Sequence, residues 1–247
     1  MTPAIWIAFG ALLGAIFGSF LAALVMRWPA GRSVLSGRSA CDGCDRTLSP
    51  LELVPIAGFL LLRGRCRSCA APIARDHFAI EIAAALIGGI AFALVPTVAG
   101  IGLAGLGWLL LALGWLDARH LWLPDALVIP LALVGLVAAG WITAIALQDR
   151  LIGGVAGFAT LEIVRRAYRR MRGHDGMGGG DPKLFGAIGL WTGWAILPLV
   201  LFVASAGLLA TALLSGTARE RSREFPLGSA LAAAGFVIAC LQAGGRL

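Results

Sequence analysis

The sequence predicts an all-α, polytopic membrane protein of about eight transmembrane helices with one small polar loop domain. Three observations carry this. Of 247 residues, 59% are apolar and only 13% charged, against about 25% charged in soluble domains. Mean hydropathy is +0.89, which excludes disorder, because disordered chains are poor in apolar residues. The 34 glycines suit close helix packing in lipid.

Each element follows from the requirement of about 20 mostly apolar residues per span. The first is Ala4–Met26. No charge precedes Arg27, so the segment lacks the basic start of a cleaved secretory signal and reads as a helix with its N-terminus outside. A polar stretch follows, Arg27–Asp76, whose apolar run Leu53–Leu62 is too short to cross. Further spans are expected at Phe78–Val98, Gly100–Leu116, Ala126–Leu147 and Leu151–Val164. The run Leu184–Ser215 exceeds one span. Gly189, Thr192 and Gly193 divide it into a short helix, a turn and a full helix. The last span is Gly228–Ala243. Three segments result: 1–26, a first transmembrane helix; 27–77, a polar loop domain; and 78–247, a membrane domain.

The net charge is +7 and the pI about 10.1. Such a balance raises two possibilities, nucleic acid or membrane orientation. Alternating the loops from an outside N-terminus puts Arg27–Asp76, Asp117–Asp125, Arg165–Lys183 and Arg219–Glu224 inside. These hold 18 of the 20 Lys and Arg; only Arg150 and Arg246 fall outside. The positive-inside rule explains that split, so no nucleic acid is expected. The basic face also suits contact with anionic membrane lipid. Oligomeric state has no signature here.

Cys41-Asp-Gly-Cys44 and Cys66-Arg-Ser-Cys69 form a C-x₂-C-x₂₁-C-x₂-C pattern in the polar segment. Four thiolates can close a tetrahedral shell around Zn²⁺, with two-residue spacers turning each pair onto one metal. The alternative is two disulfides, which are uncommon in the cytosol, where this loop is placed. The expectation is therefore a cytoplasmic zinc-binding loop domain with a structural metal at Cys41, Cys44, Cys66 and Cys69. Cys240, in the last span, reads as a packing residue.

Acidic residues near a bilayer are expensive and are functional candidates by default. Asp117 ends an apolar helix, Asp125 follows Leu123-Pro124, and Asp181 closes Gly176-Met-Gly-Gly-Gly-Asp181 before Pro182-Lys183. All three fall on the inside face. Two carboxylates held close share a proton, so one can act as base and the other as acid. That pairing can activate water against a peptide carbonyl. Gly178 and Gly180 permit close approach of a substrate backbone. Each carboxylate also has a structural reading. Asp125 is placed to cap its helix. Asp117 can pair with Arg119 or His120, and Asp181 with Lys183. His174 and Asp175 read as solvated loop, and Glu81 as either interfacial or functional.

In these motifs the chain resembles the type IV prepilin peptidases, the prepilin leader peptidase/N-methyltransferase family of GxGD aspartic proteases. The likeness runs through Gly18-Ser-Phe20, Arg27-Trp-Pro29, both CxxC pairs and Ser49-Pro-Leu-Glu52-Leu-Val-Pro55. Arg63-Gly64-Arg-Cys66 and Glu81 fall in the same order. Asp117-Ala-Arg-His-Leu-Trp-Leu-Pro-Asp125 resembles the family's D-x₅-LPD segment, and Gly178-Gly-Gly-Asp181 its GxGD. The resemblance implies that Asp117 and Asp181 are the catalytic pair, with Gly178, Gly180, Lys183 and Asp125 supporting. It implies removal of a short basic leader from type IV prepilins or type II secretion pseudopilins at the cytoplasmic side of a bacterial inner membrane. It also implies methylation of the new N-terminus with S-adenosylmethionine, associated with segment 27–77, while 78–247 is the aspartic peptidase domain.

Three segments depart from the family pattern. Gly179 stands where an aromatic or polar residue is common, Ala22 where an Asn is usual, and Leu227-Gly228-Ser229 where the family has Phe-Gly-Pro. Two other functions fit part of the pattern. A transporter with a carboxylate proton relay needs acids at the bilayer midplane and internal symmetry. A zinc-bearing scaffold without catalysis leaves the glycines before Asp181 without a purpose.

Overall fold

Helices account for nearly all regular structure in the computed structural model, which describes residues 2–34, 38–214 and 225–245. Among these residues there are nine helices. They are α1 (Pro3–Arg27), α2 (Ala57–Leu61), α3 (Arg75–Leu94), α4 (Gly100–His120), α5 (Asp125–Ile142), α6 (Leu147–Arg172), α7 (Gly180–Thr192), α8 (Leu197–Leu214) and α9 (Leu227–Ala243). All but α2 correspond to the eight apolar segments expected from the sequence. Five, α1, α3, α4, α5 and α8, are long and apolar enough to cross a membrane, and α9 is a shorter apolar helix. The chain divides into two units, Met1–Pro96 and Thr97–Leu247.

In the first unit α1 lies along α3. Gly10, Gly14 and Gly18 repeat every fourth residue on one face of α1, and a side chain at any of them would run into α3 at Gly88, Ala84 or Glu81. Small residues at this spacing let two backbones approach, the favourable way to join helices in lipid. Trp6 stacks on Phe92 with 5.5 Å between ring centroids, and Phe9 meets the same ring edge-on. The polar segment 38–74 packs into two turns of loop and the short α2.

In the second unit α7 is the central element. Its 13 residues are nearly all buried, and it packs on α5, α6 and α9. Gly153 and Gly157 of α6 meet the α7 backbone at Gly189 and Phe185. Trp191 donates its indole N–H to the Leu131 carbonyl at 2.9 Å. The division of the long apolar run falls where the sequence placed it: α7 ends at Thr192, and Gly193 turns with φ 75°. By contrast α5 and α8 leave most of their apolar surface uncovered, with Val137 64% and Phe202 69% exposed, as lipid-facing helices do.

Several boundaries differ from expectation by a few residues, α5 ending at Ile142 rather than Leu147 among them, and two of the differences involve charged groups. The segment Leu151–Val164 is part of one 26-residue helix, α6, whose basic end runs on to Arg172 and stops at Gly173 in the left-handed region. Arg165 stays helical because Glu162, one turn back, pairs with it at 3.0 Å and with Arg166 at 2.6 Å. Asp117, read as lying at a helix end, is in the last turn of α4, which ends three residues later at His120 and is closed by Leu121 with φ 51°. The basic loop Arg219–Glu224 and Arg246 lie outside the described residues.

Candidate active site and metal centre

The four cysteines meet in the first unit on two knuckles built alike. In the first, the Cys41 N–H donates to the Arg46 carbonyl and the Asp45 N–H to the Cys41 carbonyl, both at 2.9 Å. In the second, the Cys66 N–H donates to Ala71 at 2.8 Å and the Ala70 N–H to Cys66 at 3.0 Å. Asp45 and Ala70 take φ of 52° and 55°, and Ala40–Thr47 and Arg65–Pro72 form matching β-bridges. Every feature of one knuckle recurs 25 residues later in the other. The backbone N–H groups of Gly43 and Ser68 point at the sulfurs of Cys41 and Cys66, 3.4 and 3.5 Å away. The N–H groups of Cys69 and Ser68 draw the Cys66 thiol below its usual range, so the fold favours thiolate there.

All four sulfurs lie within 4.8 Å of one another, a cluster that could hold a metal ion. Cys41 Sγ and Cys69 Sγ are 3.8 Å apart. A tetrahedral site with bonds of about 2.3 Å has edges of about 3.8 Å, so the donor set fits such an ion. Between the knuckles, the Glu52 carboxylate accepts from Arg46 at 2.6 Å and from the Ser49 N–H at 2.8 Å. Arg46 and then Ser49 hold this carboxyl down at about 2, so it stays charged and ties the intervening loop to the first knuckle.

Glu81 is settled as a buried residue of this unit, 4% exposed. Its carboxylate accepts the Ile56 N–H at 2.8 Å and lies 3.3 Å from His77 Nε2. The Ile56 contact fixes a strained residue, φ 63°, at the entry to α2.

The aspartates meet in the second unit. Asp117 comes from the last turn of α4 and Asp181 from the first turn of α7, and each is 5% exposed. Asp181 lies within electrostatic reach of Asp117. Asp117 is held by the N-terminus of α9, where the Ser229 N–H donates to Oδ2 at 2.7 Å and Gly228 adds a second backbone donor. Such free N–H groups are the natural partners of a carboxylate. A Cβ on Gly228 would come 3.0 Å from Asp117 Cγ and 2.7 Å from Leu123 Cδ1. Leu123 also touches Gly180, where a Cβ would lie 2.6 Å from Leu123 Cβ. One leucine thus spans the neighbours of both aspartates.

Asp181 is arranged differently. The Gly178 N–H reaches its carboxylate, but Oδ1 is buried without a hydrogen-bond partner. A buried polar atom left unsatisfied is costly and points to a ligand or reactant. The chain therefore brings together one fixed carboxylate and one with a free oxygen.

The other predicted residues fall around this pair. Asp125 is not the helix cap. Pro124 holds the cap position, no side chain caps α5, and Asp125 is the first helical residue. It accepts both contacts from Lys183 Nζ at 2.8 Å. That pair links α5 to α7, and it takes Lys183 away from Asp181. Asp175 is not simply solvated: Arg165 and Arg169 lie 3.6 and 3.8 Å from it. Sequence reasoning missed Gly228 and Ser229 as partners of Asp117. The only signal was the segment Leu227-Gly228-Ser229, which keeps the glycine of the Phe-Gly-Pro pattern and changes both its neighbours.

Comparison with known proteins assigns the chain. Residues 12–95 match the model of the bacterial peptidase A24 N-terminal domain, and residues 104–214 that of the type IV leader peptidase family. The chain belongs to the type IV leader peptidase family. A relative from Burkholderia pseudomallei (strain 1026b), named prepilin leader peptidase/N-methyltransferase, is 35% identical over 93% of this chain and 83% of its own length. One of the same name from Pseudomonas aeruginosa is 34% identical, covering 92% and 87%, and one from Aeromonas hydrophila is 36% identical, covering 81% and 70%. No solved structure matches the chain. The two family matches end and begin on either side of the boundary at Pro96–Thr97. In family terms, the cysteine cluster lies in the N-terminal domain match and the aspartate pair in the leader peptidase match.

Proposed function

We propose that the chain is an inner-membrane aspartic endopeptidase that removes the basic leader from type IV prepilins or type II secretion pseudopilins. It then methylates the new N-terminal amine. The observation that carries the cleavage reading is the buried pair of Asp117 and Asp181. Membership of the family and the names of its relatives support both activities.

One carboxylate of the pair takes a proton from water as the oxygen attacks the scissile carbonyl carbon. The other hydrogen-bonds the carbonyl oxygen and then protonates the departing amine as the C–N bond breaks. Gly228 and Ser229 hold Asp117 still, while Asp181 Oδ1 has an open valence for water or carbonyl. Gly178 and Gly180 leave room beside Asp181 for a substrate backbone, and the Lys183–Asp125 pair supports the turn into α7. The distribution of Lys and Arg supports a cytoplasmic placement of the pair and of the cysteine loop, with the N-terminus outside. The substrate, an apolar helix behind a basic leader, enters from membrane lipid. A proton-relay transporter gains no support, since both aspartates lie in terminal turns of their helices.

Cys41, Cys44, Cys66 and Cys69 would hold one structural Zn²⁺, which folds the loop and leaves no open position for catalysis. S-adenosylmethionine supplies a methyl group on a sulfonium sulfur. The new N-terminal amine would take that methyl group through its lone pair and lose one proton to solvent, the electron pair of the methyl–sulfur bond staying on sulfur.

The test is to incubate purified protein with a prepilin-like peptide, with and without S-adenosylmethionine, and to weigh the products. Cleavage in both, with one added methyl only when the donor is present, is expected. An intact peptide in both would refute the cleavage reading, and cleavage without the added methyl would refute the methylation reading.

A further inference from the structure

Asp181 follows a segment with few means of holding its own shape. Four of the seven residues from Gly173 to Gly179 are glycine, which loses more conformational freedom on ordering than any other residue. Among the described residues, no backbone N–H of residues 174–177 donates to a backbone carbonyl. Yet this segment places the Gly178 N–H on the Asp181 carboxylate. That contact occupies one oxygen of the carboxylate and leaves Oδ1 open.

The segment is held from α6. Arg165, Tyr168 and Arg169 are three or four residues apart and share one face of that helix. Arg165 donates from Nε and from Nη2 to the two oxygens of Glu162, each at 3.0 Å, a fork that fixes the guanidinium plane. Its third nitrogen, Nη1, lies 3.6 Å from Asp175 Oδ1 and 4.0 Å from where a Cβ on Gly179 would stand. Arg169 Nε lies 3.8 Å from the same Asp175 oxygen. The Tyr168 ring meets His174 edge-on, with 5.6 Å between centroids. A Cβ on Gly176 would come 2.6 Å from Tyr168 Cε1, so a side chain there would displace the ring. One half-exposed ion pair is worth little. Together, these contacts stand in for the backbone hydrogen bonds that the segment lacks.

We infer that Arg165, Tyr168 and Arg169 are positioning residues for the cleavage reaction. Through Asp175 and Gly176 they seat the glycine segment so that the Gly178 N–H fixes Asp181 with Oδ1 open. The inference rests on the cleavage reading above. The three side chains act through the main chain, not on the reacting atoms. They do for Asp181 what the N-terminus of α9 does for Asp117. A basic helix end that served only membrane orientation would need neither the aromatic ring nor the carboxylate of Asp175.

The test uses full-length protein in lipid nanodiscs and a fluorescent prepilin-like peptide, and measures kcat and KM for cleavage together with peptide binding. Asp175→Asn, Arg165→Lys, the two combined, Tyr168→Ala and Tyr168→Phe are compared with wild type. Asp175→Asn and Tyr168→Ala are expected to lower kcat at least about tenfold, part of the roughly 10²-fold that a 1 Å misplacement costs. KM and peptide binding should stay at wild type. Arg165→Lys keeps the charge but not the fork, and lowers kcat by a few-fold. The combined variant should match Asp175→Asn alone to within about twofold, because both changes cut one link. Tyr168→Phe, which keeps the ring, should recover the rate lost in Tyr168→Ala. Wild-type kcat in Asp175→Asn and Tyr168→Ala overturns the positioning role while leaving cleavage intact. So do losses that multiply in the combined variant, a Tyr168→Phe as slow as Tyr168→Ala, or a loss of peptide binding. A wild-type protein that leaves the peptide whole overturns the cleavage reading itself, and the positioning role falls with it.

Discussion

The cysteine centre and the aspartate pair are built in opposite ways. The cysteines sit on two self-contained turns, each closed by its own backbone hydrogen bonds within eight residues. Cys44 and Cys69 are exposed to solvent. The aspartates are buried, 64 positions apart, and are completed by a third segment a further 48 positions along, at Ser229. A metal centre of local turns tolerates change elsewhere in the chain, because its geometry is fixed on the spot. A dyad assembled from three helices depends on packing, and a small displacement of one helix is felt in full by the reacting atoms.

Five substitutions sharpen that contrast. The largest effect on cleavage is expected from Asp117→Asn or Asp181→Asn. Loss of a general acid or base costs roughly 10²–10⁴-fold, so leader cleavage falls below detection while the protein still inserts. Next comes Gly228→Val, which leaves both carboxylates in the chain. Its side chain would press on Asp117 Cγ and Leu123, and a shift of about 1 Å there costs on the order of 10²-fold in turnover. Wild-type turnover in this variant would mean that α9 does not position Asp117.

Smaller effects follow for the exposed ion pair and for the Ser229 donor. Lys183→Ala removes a contact between half-exposed partners. Pairs of this kind are worth about 0.2–1 kcal/mol, so activity should drop by a few-fold and fall further with added salt only in wild type. Ser229→Pro removes one N–H from Asp117 but leaves the Gly228 donor, and proline is tolerated in the first turn of a helix. Turnover within a few-fold of wild type is expected, with KM unchanged; a large loss would move the essential contact from Gly228 to Ser229.

The two regions were also unequally legible in the sequence. The cysteine spacing specified the centre almost completely, because both knuckles are local and need no knowledge of tertiary structure. Asp117 and Asp181 were visible as rare acids at the ends of apolar runs. Their companions were not. Gly228 was one of 34 glycines, and only the packing of α9 on α4 gives it a role. Asp125 read as a cap from its neighbours Pro124 and Leu123, yet a lysine 58 positions away claims it. Glu81 could not be placed from sequence, since its partner Ile56 belongs to a loop whose path no periodicity describes. Helix ends were mispredicted where charge, not apolarity, carries the helix onward, as at Arg165–Arg172 of α6.

The central claim is that hydrolysis and metal binding belong to separate units of one chain. Measuring leader cleavage and bound metal on the same purified samples of Asp117→Asn, Asp181→Asn, Cys44→Ser and Cys66→Ser tests it most directly. The account predicts a crossed pattern. The aspartate variants keep the metal and lose cleavage. The cysteine variants lose the metal and still cleave. Cleavage by either aspartate variant, or its disappearance together with the metal, would contradict the account.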